Sequence, residues 1–237
     1  MKELLKPYKK TCGYSYTSGA YATIELIKTR PAAIEKVYVH PDFCRSDELT
    51  ALCASHAIPV GCDEKIFARI NQKENAYVLG VFKKYPSRIS PECPHVVLVN
   101  PADKGNLGTV VRTLVGMGLP DLAIITPAAD IWDPKTIRAS MGALFHLRFE
   151  HFADIERYLY QFSRHKRYAF MLDGPLELRP GAITRPALFS LIFGNEARGL
   201  DTRYARIATG VRIAQSARVD SLNLAAAVAI GAYVFTL

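Results

Sequence analysis

From residue 95 onward the chain alternates short apolar runs with stripes of helical period, and this alternation restricts the fold more than any other feature. Strands are expected at residues 95–99, 122–126, 168–172, 189–193 and 211–214. Helices are expected between them, at roughly 107–117, 134–141, 153–163 and 198–207. Repeated strand–helix units need crossover connections, so the sheet is largely parallel and covered on both faces. With 237 residues, the chain has room for one large or two small domains.

The run Tyr85-Pro86-Ser87-Arg88-Ile89-Ser90-Pro91-Glu92-Cys93-Pro94 holds three prolines, which suit neither a helix nor a central strand. It predicts a linker over 86–94, between an N-terminal domain at 1–85 and a C-terminal domain at 95–237. The first domain reads as a small α/β sandwich. Its helices are expected near 17–29, 46–56 and 64–70, and its strands near 35–40, 58–60 and 76–82. Ahead of it Lys2, Lys6, Lys9 and Lys10 alternate with Tyr8, Tyr14 and Tyr16. Lysines with tyrosines suit phosphate contacts and base stacking, but a solvated terminus has the same composition.

A formal net charge of +8 and a pI near 9.3 favour a polyanionic partner. No apolar run follows Met1-Lys2-Glu3, so no signal peptide is expected. The apolar stretch 222–237 is short for a membrane span and reads as a buried helix. Five cysteines (Cys12, Cys44, Cys53, Cys62 and Cys93) form no Cys-x-x-Cys pair, and no histidine cluster suggests a metal. Buried or incidental thiols in a reducing cytoplasm fit this pattern.

Three segments carry candidate chemistry. In Asn100-Pro101-Ala102-Asp103-Lys104-Gly105-Asn106-Leu107-Gly108-Thr109-Val110-Val111-Arg112, Asn106 is a good helix N-cap. Leu107, Val110, Val111 and Leu114 make a buried stripe, while Gly108, Arg112 and Gly116 lie along its flank. The glycines would let another backbone approach while the guanidinium reaches past it. The second segment, Gly194-Asn195-Glu196-Ala197-Arg198-Gly199-Leu200, is a glycine turn after an apolar strand, which leaves backbone groups free for a ligand. Glu196 could be a general base, but a carboxylate near basic groups is a weak one; ordering the loop through backbone N–H groups suits it better. In the third, Asp220-Ser221-Leu222-Asn223, Ser221 can cap the final helix with Asn223 in its first turn. Two such strand ends side by side make a crevice where cofactors sit. Between the first two segments, Lys135 and Arg138 share a helix face that could meet phosphate.

In this order the three segments resemble motifs 1, 2 and 3 of the SpoU (TrmH-like) RNA ribose 2'-O-methyltransferases, of the knotted SPOUT class. The resemblance covers roughly residues 96–237, and an Arg-x-Ser-x-Gly-Ala stretch from Arg138 adds to it. It implies a parallel-sheet domain closed by a trefoil knot, S-adenosylmethionine as methyl donor, rRNA or tRNA as substrate, and a homodimer. It implies Arg112, Asn106, Glu196, Ser221 and Asn223 as the catalytic set, and Gly194, Ile213, Leu222 and Leu172 at the cofactor. Lys6, Lys9, Lys10, Lys135 and Arg138 are the expected RNA contacts. The first domain is similar in size and position to the ribosomal-protein-like RNA-binding domain often fused ahead of such catalytic domains. Two departures stand out: Ala214 where the family usually has proline, and Asp103-Lys104 in place of the more usual Asn-Pro.

The chemistry implied needs alignment more than activation, because a sulfonium methyl is already electrophilic. A guanidinium stays protonated near neutral pH, so Arg112 is better cast as a phosphate anchor than as a base. Two rival readings have less support in the residues. A dinucleotide oxidoreductase needs Gly-x-Gly-x-x-Gly after the first strand, which the chain lacks. A non-catalytic RNA-binding protein on the same fold would not need Asn106, Arg112, Glu196, Ser221 and Asn223 together. The final helix, apolar on nearly every side at Leu222, Leu224, Ala225, Val228, Ile230, Val234 and Phe235, suggests a two-fold partner.

Overall fold

A computed structural model describes residues 6–70, 76–181, 183 and 185–237; Lys2 lies outside them. In chain order the first elements are β1 (Tyr14–Ser18), α1 (Ala20–Thr29), β2 (Ile34–Val39), α2 (Ser46–Ser55), β3 (Val60–Gly61), α3 (Glu64–Ile70) and β4 (Val78–Lys83). Next come β5 (His95–Val99), α4 (Lys104–Gly116), β6 (Asp121–Ile125), α5 (Pro134–Ala139), β7 (Arg148–Phe152) and α6 (Ile155–Gln161). The chain continues through β8 (Lys166–Phe170), β9 (Leu176–Glu177), β10 (Phe189–Phe193), α7 (Tyr204–Ile207), β11 (Thr209–Arg212) and α8 (Leu224–Thr236).

Two compact units result. The first takes the described residues up to Pro86 together with Asp130–His146; the second takes Ser87–Ala129 and Leu147–Leu237. The segment Asp130–His146, expected with the C-terminal domain, thus packs in the first unit. Tyr8 donates to the Asp130 carboxylate there, and Ser15 to the Trp132 carbonyl.

The first unit is built on a mixed sheet in the order β1-β4-β2-β3, with β2 and β3 parallel and the other pairs antiparallel. Successive β4 residues serve opposite faces, as the period-two pleat demands. Val78 joins Ile27, Val37, Leu49 and Cys53 on one side; Leu79 joins Tyr16, Ile66 and Phe67 on the other. The first strand was not expected. The sequence suggests a basic tail offering tyrosines for stacking at its start, yet Tyr16 is 1% exposed and donates to the Lys6 carbonyl. Tyr16 belongs to the core, not to a ligand surface. Lys6, Lys9 and Lys10 are exposed.

The second unit holds a seven-stranded, all-parallel sheet in the order β7-β6-β5-β10-β8-β11-β9. Every residue of β5, β6 and β10 is buried, as a sheet covered on both faces requires. Val97, Ala123, Ile125 and Ile192 pack with Ile155, Tyr158 and Phe162 around α6. On α4 the expected stripe Leu107, Val110, Val111 and Leu114 is buried, and this helix packs against α8. Gly231 lets α8 lie close to the sheet: a Cβ there would sit 2.7 Å from Phe170 and 2.9 Å from Phe193, whose rings stack at 4.2 Å.

Several helices begin at other residues than expected. Asp103, not Asn106, caps α4, accepting the Asn106 N–H at 2.7 Å. Asn223, not Ser221, caps α8, accepting the N–H groups of Ala225 and Ala226 at 2.8 and 3.4 Å. The helix expected from 198 begins only at Tyr204, because Asn195 to Gly199 fold into a turn of their own.

Candidate functional site

Three adjacent strands of the parallel sheet, β10, β8 and β11, end on the same side, and the loops that follow them enclose a cavity of about 480 Å³. This is the crevice beyond the carboxyl ends of parallel strands where ligands bind in such sheets. The loop after β8 contributes Met171, Leu172 and Asp173; the loop after β10 contributes residues 194–200; Ile213, Asp220, Ser221 and Leu222 follow β11. All four expected cofactor residues, Gly194, Ile213, Leu222 and Leu172, therefore line one space.

The loops approach so closely that Gly194 has no room for a side chain. A Cβ on Gly194 would fall 2.5 Å from the Leu200 nitrogen and closer still to the Gly199 carbonyl. Gly199 itself stands at φ 65°, in the left-handed region. Asn195 holds this turn: its Oδ1 accepts from the N–H groups of Ala197 (2.9 Å) and Arg198 (3.2 Å), while its Nδ2 donates to the Asn100 carbonyl at 2.7 Å. Asn195 was not among the expected site residues. Its position directly after a strand-ending glycine, where Asn forms local turns, is the signal that could have found it.

Glu196 links the segments. Its carboxylate accepts from the N–H groups of Ala102 (3.0 Å) and Asp103 (3.1 Å) and from Asn106 Nδ2 (3.3 Å). Burial alone would raise its pKa, but hydrogen bonds from the N–H groups of Ala102, Glu196 itself and Asp103, and from Asn106, outweigh that and hold it below the ordinary value. Asn106 Oδ1 in turn accepts from Asn223 Nδ2 at 2.9 Å, and Asn223 Oδ1 caps α8. A single hydrogen-bonded chain thus runs from the loop after β10, through the first turn of α4, to the start of the last helix. Asn106 is positioned inside that turn because Asp103 caps it from outside.

The remaining expected residues separate. Ser221 lines the cavity and is exposed. Arg112 is exposed on α4, does not line the cavity, and has no ion-pair partner among the described residues. Lys135 is exposed and Arg138 half-buried on α5, whose cap is Asp133. The cavity also carries two exposed carboxylates, Asp173 and Asp220, which suit a ligand bearing positive charge.

Comparison with known proteins agrees with this arrangement. An uncharacterized tRNA/rRNA methyltransferase of Synechocystis sp. is 30% identical over 141 residues, 58% of this chain but only 51% of that protein's length. The 23S rRNA (guanosine(2553)-2'-O)-methyltransferase RlmP of Bacillus subtilis is 26% identical over 72% of this chain and 69% of its own. The crystal structure of an AdoMet-bound rRNA methyltransferase from Sinorhizobium meliloti superposes with a TM-score of 0.79 at 26% identity, covering 94% of this chain and 87% of that one. Residues 94–233 match the model of the SpoU rRNA Methylase family, and they contain the whole cavity and the Glu196–Asn106–Asn223 chain. The chain belongs to the SpoU rRNA methylase family.

Proposed function

We propose that this protein transfers a methyl group from S-adenosylmethionine to a ribose 2'-hydroxyl of rRNA or tRNA. One observation carries the reading: the cavity at the ends of β8, β10 and β11 is tied to Asn106 and Asn223 by Glu196. Its volume lies within the roughly 300–1,000 Å³ range of small-ligand sites, and its walls are mainly backbone and apolar side chains. Gly194, Leu172, Ile213 and Leu222 would hold the adenosyl part, with Asp173 and Asp220 near its positive charge. When bound, the cofactor supplies an electrophilic methyl group.

The protein's task is alignment. Glu196 is saturated by donors and has a depressed pKa, so it orders the loops instead of taking a proton. Arg112, exposed and without a carboxylate partner among the described residues, anchors an RNA phosphate and so sets the ribose. Ser221 faces the same space with a free hydroxyl to orient the acceptor.

Because Arg112 does not line the cavity of its own chain, we assign it to the cavity of a second copy in a homodimer. Supporting this, α8 exposes Ile230 (39%) and Tyr233 (53%), the residue after it, Leu237, is exposed as well (70%), and Gly116 on the packed helix α4 faces open space. Exposed apolar area of this kind normally marks an interface. We further propose that the first unit grips RNA through Lys6, Lys9, Lys10, Lys135 and Arg138, that the second unit closes in a trefoil knot, and that the protein works in the cytoplasm. Among the described residues no helix is long and apolar enough to cross a membrane.

Calorimetry with S-adenosylmethionine and with NAD tests the cofactor, and ribose-methylation mapping of cellular RNA with and without the protein tests the reaction. Binding of the sulfonium cofactor alone, with one or a few ribose methylations lost in the mutant strain, is expected. NAD binding without adenosylmethionine binding would overturn the reading.

A further inference from the structure

The second unit has a second cavity, of about 420 Å³, at the opposite ends of the same strands. It opens where β8 and β11 begin and is lined by Lys166, Arg167 and Arg206 with His165, Ser163 and Thr209. It shares no residue with the cofactor cavity. No carboxylate lines it.

Neighbouring cations pair with carboxylates; among the described residues these do not, although Lys166 Nζ lies 5.6 Å from the centre of the Tyr168 ring. Arg164 pairs with Glu92 at 3.1 Å, and Arg203 pairs with Asp201 at 3.1 Å and Glu156 at 3.5 Å. Lys166, Arg167 and Arg206 have no carboxylate partner among the described residues. Arg167 adds an independent sign of a missing acceptor: its Nε is buried and no hydrogen-bond acceptor reaches it. A desolvated guanidinium N–H left unpaired is costly, so Arg167 gains if its guanidinium turns towards an acceptor, and a phosphate takes two parallel bonds from the terminal N–H groups of an arginine. Burial holds the His165 pKa below its ordinary value, against hydrogen bonds to the backbone of Pro91 and Phe189, with smaller lowering contributions from Arg164 and Arg167.

We infer that this cavity is a phosphate site, and that the phosphate it holds belongs to the RNA backbone, away from the methylated ribose. The RNA assignment rests on the proposed function; the phosphate chemistry does not. RNA held there would be anchored at both ends of the sheet, one phosphate at Arg167 and the reacting ribose at the cofactor.

The test compares the full chain with Arg167→Gln/Arg206→Gln, and with Lys166→Gln/Arg206→Gln, which alters only exposed side chains. Affinity for a structured rRNA fragment is measured by fluorescence anisotropy from 50 to 300 mM KCl. Cofactor affinity is measured by calorimetry, and thermal stability with inorganic phosphate. Both variants should bind RNA about tenfold more weakly at 150 mM salt, with a log–log salt slope shallower by about 1 to 2. Cofactor affinity should stay within twofold. An unchanged slope in both variants with no stabilisation of the wild type by phosphate overturns the inference. An unchanged slope with phosphate stabilising only the wild type assigns the cavity to free phosphate and overturns the RNA assignment. Failure of wild type to bind adenosylmethionine sinks the proposed function, while the salt slope still decides this site.

Discussion

Replacing Glu196 by glutamine keeps the side chain's size and removes its charge. The carboxylate serves the Ala102 N–H through one oxygen and the Asp103 N–H and Asn106 amide through the other. A glutamine can keep one of these sides only; its NH₂ then faces a donor on the other. A hydrogen bond to a charged acceptor contributes about 1.5–3 kcal/mol. Ala102 and Asp103 are exposed, so the lower end applies. One lost bond with its neighbours weakened amounts to about 2 kcal/mol, or roughly 10- to 30-fold in any equilibrium that needs the loops closed. Adenosylmethionine affinity should fall by that factor in calorimetry, and the melting temperature by about 4–8 °C. The single-turnover rate at saturating cofactor should stay within about threefold. Normal affinity and melting with a rate reduced by about 10²-fold would identify Glu196 as the general base and refute the ordering role.

Gly194→Ala forces a methyl group against the Gly199–Leu200 backbone, so it should cost about 1–3 kcal/mol and abolish measurable cofactor binding; near-normal calorimetry would show that the two loops part easily. Arg112→Ala should reduce methyl transfer by about 10²-fold with cofactor affinity and melting unchanged, and lost cofactor affinity with normal saturated turnover would misplace the residue. Mixing Arg112→Ala with Asn223→Ala chains should restore roughly a quarter of wild-type activity if each site draws on both chains of a dimer. Light scattering must first report that dimer, and a fully active monomer ends the idea. His95, wholly buried, hydrogen-bonds to the Tyr158 hydroxyl and the Ser90 carbonyl, and burial lowers its pKa to about 4. The unfolded chain therefore takes up the proton first: this contribution is complete above about pH 6.5 and is lost as pH falls towards 4, about 2 kcal/mol of it by pH 5. Urea unfolding at pH 7 and 5 measures it, and a His95→Gln variant with the same pH dependence would refute the assignment.

How far the sequence could be read depended on what each residue packs against. The strands His95–Val99 and Phe189–Phe193 were located to the residue, because each is an unbroken apolar run buried on both faces. Arg148–Phe152 was missed: it occupies the outer position of its sheet, and its Arg, Glu and His read as loop. Tyr14–Ser18 was missed because its tyrosines suggested a ligand surface, and only the sheet beside it turns Tyr16 inward. The cavity residues Gly194, Ile213, Leu222 and Leu172 were legible through the motifs that end the strands. The caps were not. Asp103 and Asn106, or Ser221 and Asn223, are each competent to cap, and the choice is made by Glu196 and Asn106 reaching in from distant chain positions. The placement of Asp130–His146 in the first unit has the same cause, since its partners, such as Tyr8 and Ser15, are more than a hundred residues away.

The position of β10 has a consequence for how the chain is made. It enters the sheet between β5 and β8, so these two strands are synthesised before the neighbour that joins them. Until Phe193 has emerged, each shows a row of unsatisfied amide and carbonyl groups flanked by apolar side chains, the kind of surface that templates aggregation. Closing that gap also requires pairings of high sequence separation, which makes assembly slow. Glu196 arrives three residues after the gap closes, and Asn223 later still. Translation rate, chaperone supply and growth temperature should therefore govern the soluble yield of this protein more than its final stability does.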